Sequence, residues 1–217
     1  MDIITTFTSF TTSNCYIVKP YNDERCIFID LPPDLENALE YVNKENLTVM
    51  GALITHGHFD HALGMEKFNY GKYLSLDDEF LARNPQEQIK MFMGDDTGVK
   101  EYKGDILDVE KHEFDFLQIH KNPGHTKGSV SYEFPDLGIV FTGDFVFKDG
   151  IGRTDLKGGS INEMKDSLNN IFLNFHKDLS VFPGHGPYSK VNEILNSNIT
   201  LRGLLNDWTS KRDTQYT

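Results

Sequence analysis

Five of the eight histidines stand in loops directly after apolar runs: His56, His58 and His61 in THGHFDH, His125 in NPGHTKGS, and His185 in FPGHGP. Asp144 in VFTGDF is placed the same way. A loop rooted in a buried strand is fixed at its base and open at its tip, which suits side chains that must converge on a small centre. Imidazole nitrogen suits zinc, iron and other borderline divalent ions, and carboxylate oxygen completes or bridges such a site. His56-Gly57-His58-Phe59-Asp60-His61 sets four of these donors within six residues. Six or seven N/O donors are too many for one tetrahedral ion but suit two ions that share a bridging carboxylate. A lone loop histidine is more often a surface residue, and a lone loop aspartate more often caps or turns the chain. HxHxDH followed by separate PGH, TGD and PGHG loops is a much more specific pattern. His112 and His176 lie in polar surroundings and read as solvated. His120, on the strand before the PGH loop, reads as support for a site rather than as a ligand.

Elements must hold these loops in place. Apolar and alternating runs at Ile3–Phe10, Cys15–Val18 and Cys26–Ile29 read as an opening meander of strands, broken by the turn-forming Pro20-Tyr21-Asn22-Asp23. Leu35, Ala38, Leu39 and Val42 recur at helical spacing within 34–44, with Asp34 placed to begin that helix. Val49–Ile54 is a continuous apolar strand, read as buried on both faces, and it ends on THGH. Short helices are expected at DDEFLARN and PQEQIKMFMG, then strands near Phe116–His120, Val130–Phe134 and Gly138–Phe141. A Gly-rich loop at 149–159, a helix from Ile161 to Phe175, a strand at 180–182 and closing helical sequence complete the chain. No repeat or linker divides it, so residues 1–217 read as one domain. Two similar halves of strands with helices outside point to an α/β sandwich rather than a parallel Rossmann sheet.

Composition sets the outer limits. The 217 residues carry 21 basic against 33 acidic side chains, a net charge of −12, which opposes docking on nucleic-acid phosphates or anionic membranes. Hydrophobic residues at 38 % and 16 phenylalanines are enough for a packed core and exclude wholesale disorder. Neither a basic-then-apolar leader nor a run of roughly 18 apolar residues is present, so no signal peptide or membrane span is expected. Cys15 and Cys26 lie inside strand-like runs and read as reduced, buried thiols, which fits a cytoplasmic setting.

The four loops, in this order and spacing, resemble the metal-binding motifs of the metallo-β-lactamase superfamily over nearly the whole chain. The resemblance implies an αββα sandwich, two mixed β-sheets flanked by helices, with the metals at one edge. It further implies that His56, His58 and His125 hold a first ion and Asp60, His61 and His185 a second, with Asp144 bridging. The cofactors are then two divalent metal ions, zinc by preference, with iron or manganese as alternatives. Asp30, ending RCIFID, resembles the family's supporting aspartate, although Leu31-Pro32-Pro33 replaces the glycine usually found nearby. Lys127 also stands where proline is common in the PGHT loop. Every ligand position is filled.

A GIGRTDL loop after Asp144 resembles the glyoxalase II-like hydrolases and the persulfide dioxygenases of this superfamily, which act on glutathione-linked sulfur compounds. Glyoxalase II places a basic residue against its substrate where Arg153 stands, so Arg153 is a candidate clamp for a substrate carboxylate; pairing with Asp155 is the equal alternative. The helical domain that carries the other glutathione contacts of glyoxalase II has no counterpart in the thirty or so residues after PGHG, and Arg202, Lys211 and Arg212 are not equated with those contacts. The implied reaction is hydrolysis of a small anionic thioester such as S-D-lactoylglutathione by a metal-bound hydroxide that Asp60 orients. Expected alternatives are an iron-dependent persulfide dioxygenase using His56, His125 and Asp144, and a hydrolase of other esters or lactones. A secreted β-lactamase, a nuclease and a non-catalytic binding module fit less well. Phe80, Met91, Phe92 and Met93 are candidates for a substrate pocket wall, or for core.

Overall fold

A computed structural model of the protein describes residues 4–21, 23–95 and 98–205. The expectations for Ile3, Asn22, Lys211, Arg212 and the Met93 side chain lie outside the described residues. The chain groups into two compact units, Met1–Phe116 and Leu117–Thr217. Each holds one mixed sheet with helices, which is the expected α/β class.

The first unit contains a six-stranded sheet of β1 (Ile4–Thr8), β2 (Asn14–Val18), β3 (Arg25–Ile29), β4 (Thr48–Leu53), β5 (Lys72–Leu74) and β6 (Leu107–Asp108), in that spatial order. β1 to β3 are an antiparallel meander, and β3 to β6 are parallel. All five residues of β2 are buried, as are the last four of β3, so their β-branched and aromatic side chains meet no water on either face. Cys15, Ile17, Cys26 and Phe28 share one core with Leu35, Ala38 and Val42 around α1 (Glu36–Lys44), and Phe28 meets Phe68 edge-on at 5.0 Å. Burying each such ring contributes about 1.5–3 kcal/mol. Three further helices, α2 (Phe59–Ala62), α3 (Glu79–Arg83) and α4 (Pro85–Met93), follow the parallel strands.

Two local readings change. Asp34 does not cap α1: its carboxylate accepts from the Ser9 hydroxyl and, at 3.0 Å, from the Phe10 N–H, so it fastens the β1–β2 turn instead. β4 is buried only in its second half, because Thr48 is exposed and Val49 and Met50 are partly so.

The second unit contains a five-stranded sheet in the order β11 (Ser189–Lys190), β10 (Ser180–Pro183), β9 (Ile139–Gly143), β8 (Val130–Phe134) and β7 (Gln118–Lys121). Only β9 and β10 run parallel. Its core gathers Val140, Phe145, Val181, Met164 and Leu168 of α5 (Ile161–Asn170), and Val191 and Ile194 of α6 (Val191–Ser197). α5 ends five residues before the expected Phe175, at Asn170, and a 3-10 turn follows at Phe172–Asn174. Among the described residues no helix is long and apolar enough to cross a membrane. Cys15 and Cys26 are free and buried, as read from their runs.

Candidate metal centre

In the first unit the parallel strands β3, β4 and β5 end side by side, and the loops after them carry Asp30, the segment 55–61 and Asp78. Carboxyl ends of parallel strands are where α/β folds ordinarily place ligands. Asp30 is fully buried and adopts the left-handed conformation (φ 61°), which turns its carboxylate under the neighbouring loop. It accepts three hydrogen bonds: from the Thr55 N–H at 2.7 Å, from Thr55 Oγ1 at 2.9 Å and from His61 Nδ1 at 2.8 Å.

These bonds fix tautomers. A carboxylate can only accept, so His61 carries its proton on Nδ1 and turns an Nε2 lone pair toward Asp60 Oδ2, 3.6 Å away. The Thr55 hydroxyl spends its proton on Asp30 and accepts from His56 Nδ1 at 3.1 Å, which leaves the His56 Nε2 lone pair facing His58 Nδ1 at 3.1 Å. One buried carboxylate thus orients two imidazoles, the arrangement that holds metal-ligating histidines in place. From the far side the Ser13 hydroxyl donates to the Asp60 carbonyl at 2.7 Å, tying the loop to the turn that Asp34 fastens.

The second unit repeats the device with a different acceptor. His125 follows β7, Asp144 follows β9 and His185 follows β10, all at one end of the sheet. His125 Nδ1 donates to the Arg153 carbonyl at 2.7 Å, so its Nε2 carries the lone pair, 3.5 Å from Asp144 Oδ2. His185 Nε2 lies 3.6 Å from the same oxygen. α5 holds the PGH loop: the Ser160 N–H donates to Gly124 O at 2.8 Å and Ser167 Oγ to Pro123 O at 2.7 Å. Gly152 must lack a side chain, since a Cβ there would lie 1.8 Å from the Asp144 carbonyl oxygen and 3.0 Å from His125 Nδ1.

Separations of 3.5–3.6 Å are too long for good hydrogen bonds. They match donors that share an ion: ligand atoms about 2.0–2.2 Å from a tetrahedral centre stand about 3.3–3.6 Å from one another. The donor set therefore fits divalent metal, with the lone pairs of His56, His61 and His125 already aimed by hydrogen bonds on their opposite ring nitrogens.

The remaining candidates fall elsewhere. The Arg153 guanidinium forks onto Asp155 through two 2.8 Å bonds, and that partner draws the exposed Asp155 carboxyl down to about 2. The Arg153 carbonyl, for its part, bonds His125 Nδ1. His120 Nε2 bonds Glu133 at 2.7 Å across β7–β8, and its ring meets Phe175 edge-on at 5.1 Å. His176 is exposed, and His112 is exposed but lies against Tyr73 and Phe114 at 4.7 and 4.6 Å. Phe80, Met91 and Phe92 are 50, 67 and 46 % exposed, which rules out the core reading, and Phe92 lies 6.1 Å from Phe59 of the histidine loop. Sequence reasoning passed over Thr55, Ser13, Asp78 and Gln88. Of these only Thr55, adjacent to the first histidine, carried a local signal.

The chain matches the model of the Metallo-beta-lactamase superfamily over residues 8–185. It is 30 % identical over 198 residues to a probable metallo-hydrolase, YqgX, of Bacillus subtilis (strain 168), covering 88 % of this chain and 93 % of that one. It is 29 % identical over 194 residues to the hydroxyacylglutathione hydrolase GloC of Haemophilus influenzae, covering 85 and 91 %. Among solved structures, the B3 metallo-beta-lactamase BLEG-1 superposes with a TM-score of 0.81 at 26 % identity, covering 90 % of this chain and 98 % of that one. Two mixed sheets flanked by helices, the likeness to BLEG-1 and the match across both units place the fold and the family together: the chain belongs to the metallo-beta-lactamase superfamily.

Proposed function

We propose that this metallo-hydrolase superfamily member is a thioesterase of the hydroxyacylglutathione hydrolase kind, working as one catalytic domain over residues 1–217. Two divalent ions, zinc by preference, would be held by His56, His58 and His125 and by Asp60, His61 and His185, with Asp144 available to both. The observation that carries this reading is the donor spacing: the pairs Asp60–His61, His125–Asp144 and His185–Asp144 stand 3.5–3.6 Å apart, and each pair belongs to one ion in that assignment. The likeness to GloC supports the substrate class, and the buried free thiols support a reducing, cytoplasmic setting.

When bound, the ions supply a water acidified from about 15.7 toward 7 and an electrophile for the thioester carbonyl. The chain supplies the rest. Asp30, directly on His61 and through Thr55 on His56, and the Arg153 carbonyl on His125 keep the imidazoles aimed. Asp60 accepts a hydrogen bond from the attacking water and orients it. A thiolate leaving group is a weak base, so no strong general acid is required. Arg153 takes the carboxylate of the anionic substrate by exchanging it for Asp155, a swap between two planar carboxylates on one exposed fork.

A panel of glutathione thioesters, lactones and phosphodiesters, tried on the metal-loaded protein, tests this. Thioesters should be turned over fastest; Asp60→Asn should lose about 10²–10⁴-fold in kcat, and Asp144→Ala should be inactive. Undiminished turnover in both variants would reject the mechanism. A single iron with oxygen uptake on glutathione persulfide would replace the hydrolase by the dioxygenase.

A further inference from the structure

His58 sits at the N-cap of α2, where a short oxygen-bearing side chain ordinarily accepts from the open N–H groups of the first turn, and its imidazole makes no such bond. The Phe59 N–H donates instead to Gln88 Oε1 on α4 at 3.0 Å. The same amide donates through Nε2 to Leu81 O on α3 at 2.8 Å and reaches Gly57 O at 3.4 Å. On the other side of His58, the Gly57 N–H donates to Asp78 Oδ2 at 2.8 Å.

Asp78 is fully buried and stands at the N-cap of α3, yet its side chain makes no capping bond there. The helix forgoes the stabilisation of a cap, and the carboxylate is turned to the histidine loop instead. Gly57 permits this approach, since a Cβ would meet Asp78 O at 2.6 Å and Leu81 Cβ at 2.9 Å. Gln88 therefore spans the two peptides that flank His58, through Gly57 O and the Phe59 N–H, while Asp78 holds the next peptide back, between His56 and Gly57; neither side chain belongs to the donor set.

We infer that Asp78 and Gln88 are positioning residues that fix the orientation of His58 and thereby the affinity of one of the two ions. This rests on the two-ion reading of the site.

The test uses the full chain as wild type, Gln88→Ala, Asp78→Ala and Asp78→Asn, titrated with Zn2+ against a competing chelator and with Co2+ by its visible spectrum. Gln88→Ala and Asp78→Ala should weaken one ion by about 10–100-fold while the other is retained, and should alter the Co2+ bands. In turnover, kcat should fall with KM little changed. Asp78→Asn, whose Oδ1 can still accept the Gly57 N–H, should restore most of the affinity. Gln88 is only half-buried, so Gln88→Ala decides the matter if Asp78→Ala does not fold. A folded Gln88→Ala protein that binds both ions with wild-type affinity and an unchanged Co2+ spectrum would overturn the inference. Wild-type protein that fails to bind two ions would instead overturn the reading beneath it.

Discussion

At the scale of single residues, Asp30 carries the heaviest load, because one carboxylate serves three donors and sets two imidazole tautomers. Asn in its place keeps the size but presents an NH₂ where an acceptor is needed, so at least one buried donor loses its partner. Such a loss costs about 1–3 kcal/mol; Asp30→Asn should lower the midpoint of urea unfolding accordingly and release bound metal more readily. An unchanged midpoint and metal content would remove Asp30 from this role. A second prediction concerns Arg153 and Asp155. The Asp155 carboxyl is depressed to about 2 in the folded chain by the Arg153 fork, so the pair is intact above the ordinary carboxylate range and is lost only as pH falls through about 2. In an NMR titration, Arg153→Gln should bring Asp155 back up toward the ordinary aspartate value of 3.8. An unshifted titration would mean that the fork does not hold Asp155 in solution, which would leave Arg153 open for substrate from the outset. The donors themselves were legible in the sequence because they cluster in short motifs. Asp78 and Gln88 were not, because a side chain bonded to a backbone N–H 21 or 29 residues away leaves no periodic or compositional trace.

At the scale of elements, the legible parts are those long enough to show a period. β2, β3, β8, α1 and α4 fall close to the runs that announced them. β5, β6 and β11 have three, two and two residues and are set by pairing with neighbours, not by their own pattern. The start of α1 departs from the sequence expectation for a related reason: the Ser9 hydroxyl and Phe10 N–H of a turn 24–25 residues earlier compete for Asp34. The strands also protect the thiols. Burial in β2 raises the Cys15 pKa, and burial in β3 pushes Cys26 up to about 11, so both remain protonated at neutral pH. A chromogenic disulfide reagent should label neither in the native protein and both in urea. Rapid labelling under native conditions would mean that the meander opens readily.

At the scale of the whole chain, the net charge of −12 takes on a narrower meaning under the two-ion reading. Asp60 and Asp144 are two of its 33 acidic residues, and metal ions would offset them where an anionic substrate must arrive. The family, the fold class and the order of the loops could all be read from the sequence, since HxHxDH, PGH, TGD and PGHG each lie at or just after the end of a strand that the structure contains. The substrate could not, because Phe80 and Phe92, the candidates for a pocket wall, are spaced no differently from core residues and only their exposure sets them apart from core. The central claim is that His56, His58, Asp60, His61, His125, Asp144 and His185 together hold two hydrolytic metal ions. Elemental analysis of anaerobically purified full-length protein, paired with thioester turnover on the same sample, measures it most directly. Two divalent ions per chain, with turnover lost on chelation and recovered on adding zinc back, is the predicted result; turnover that survives complete removal of metal would contradict the account.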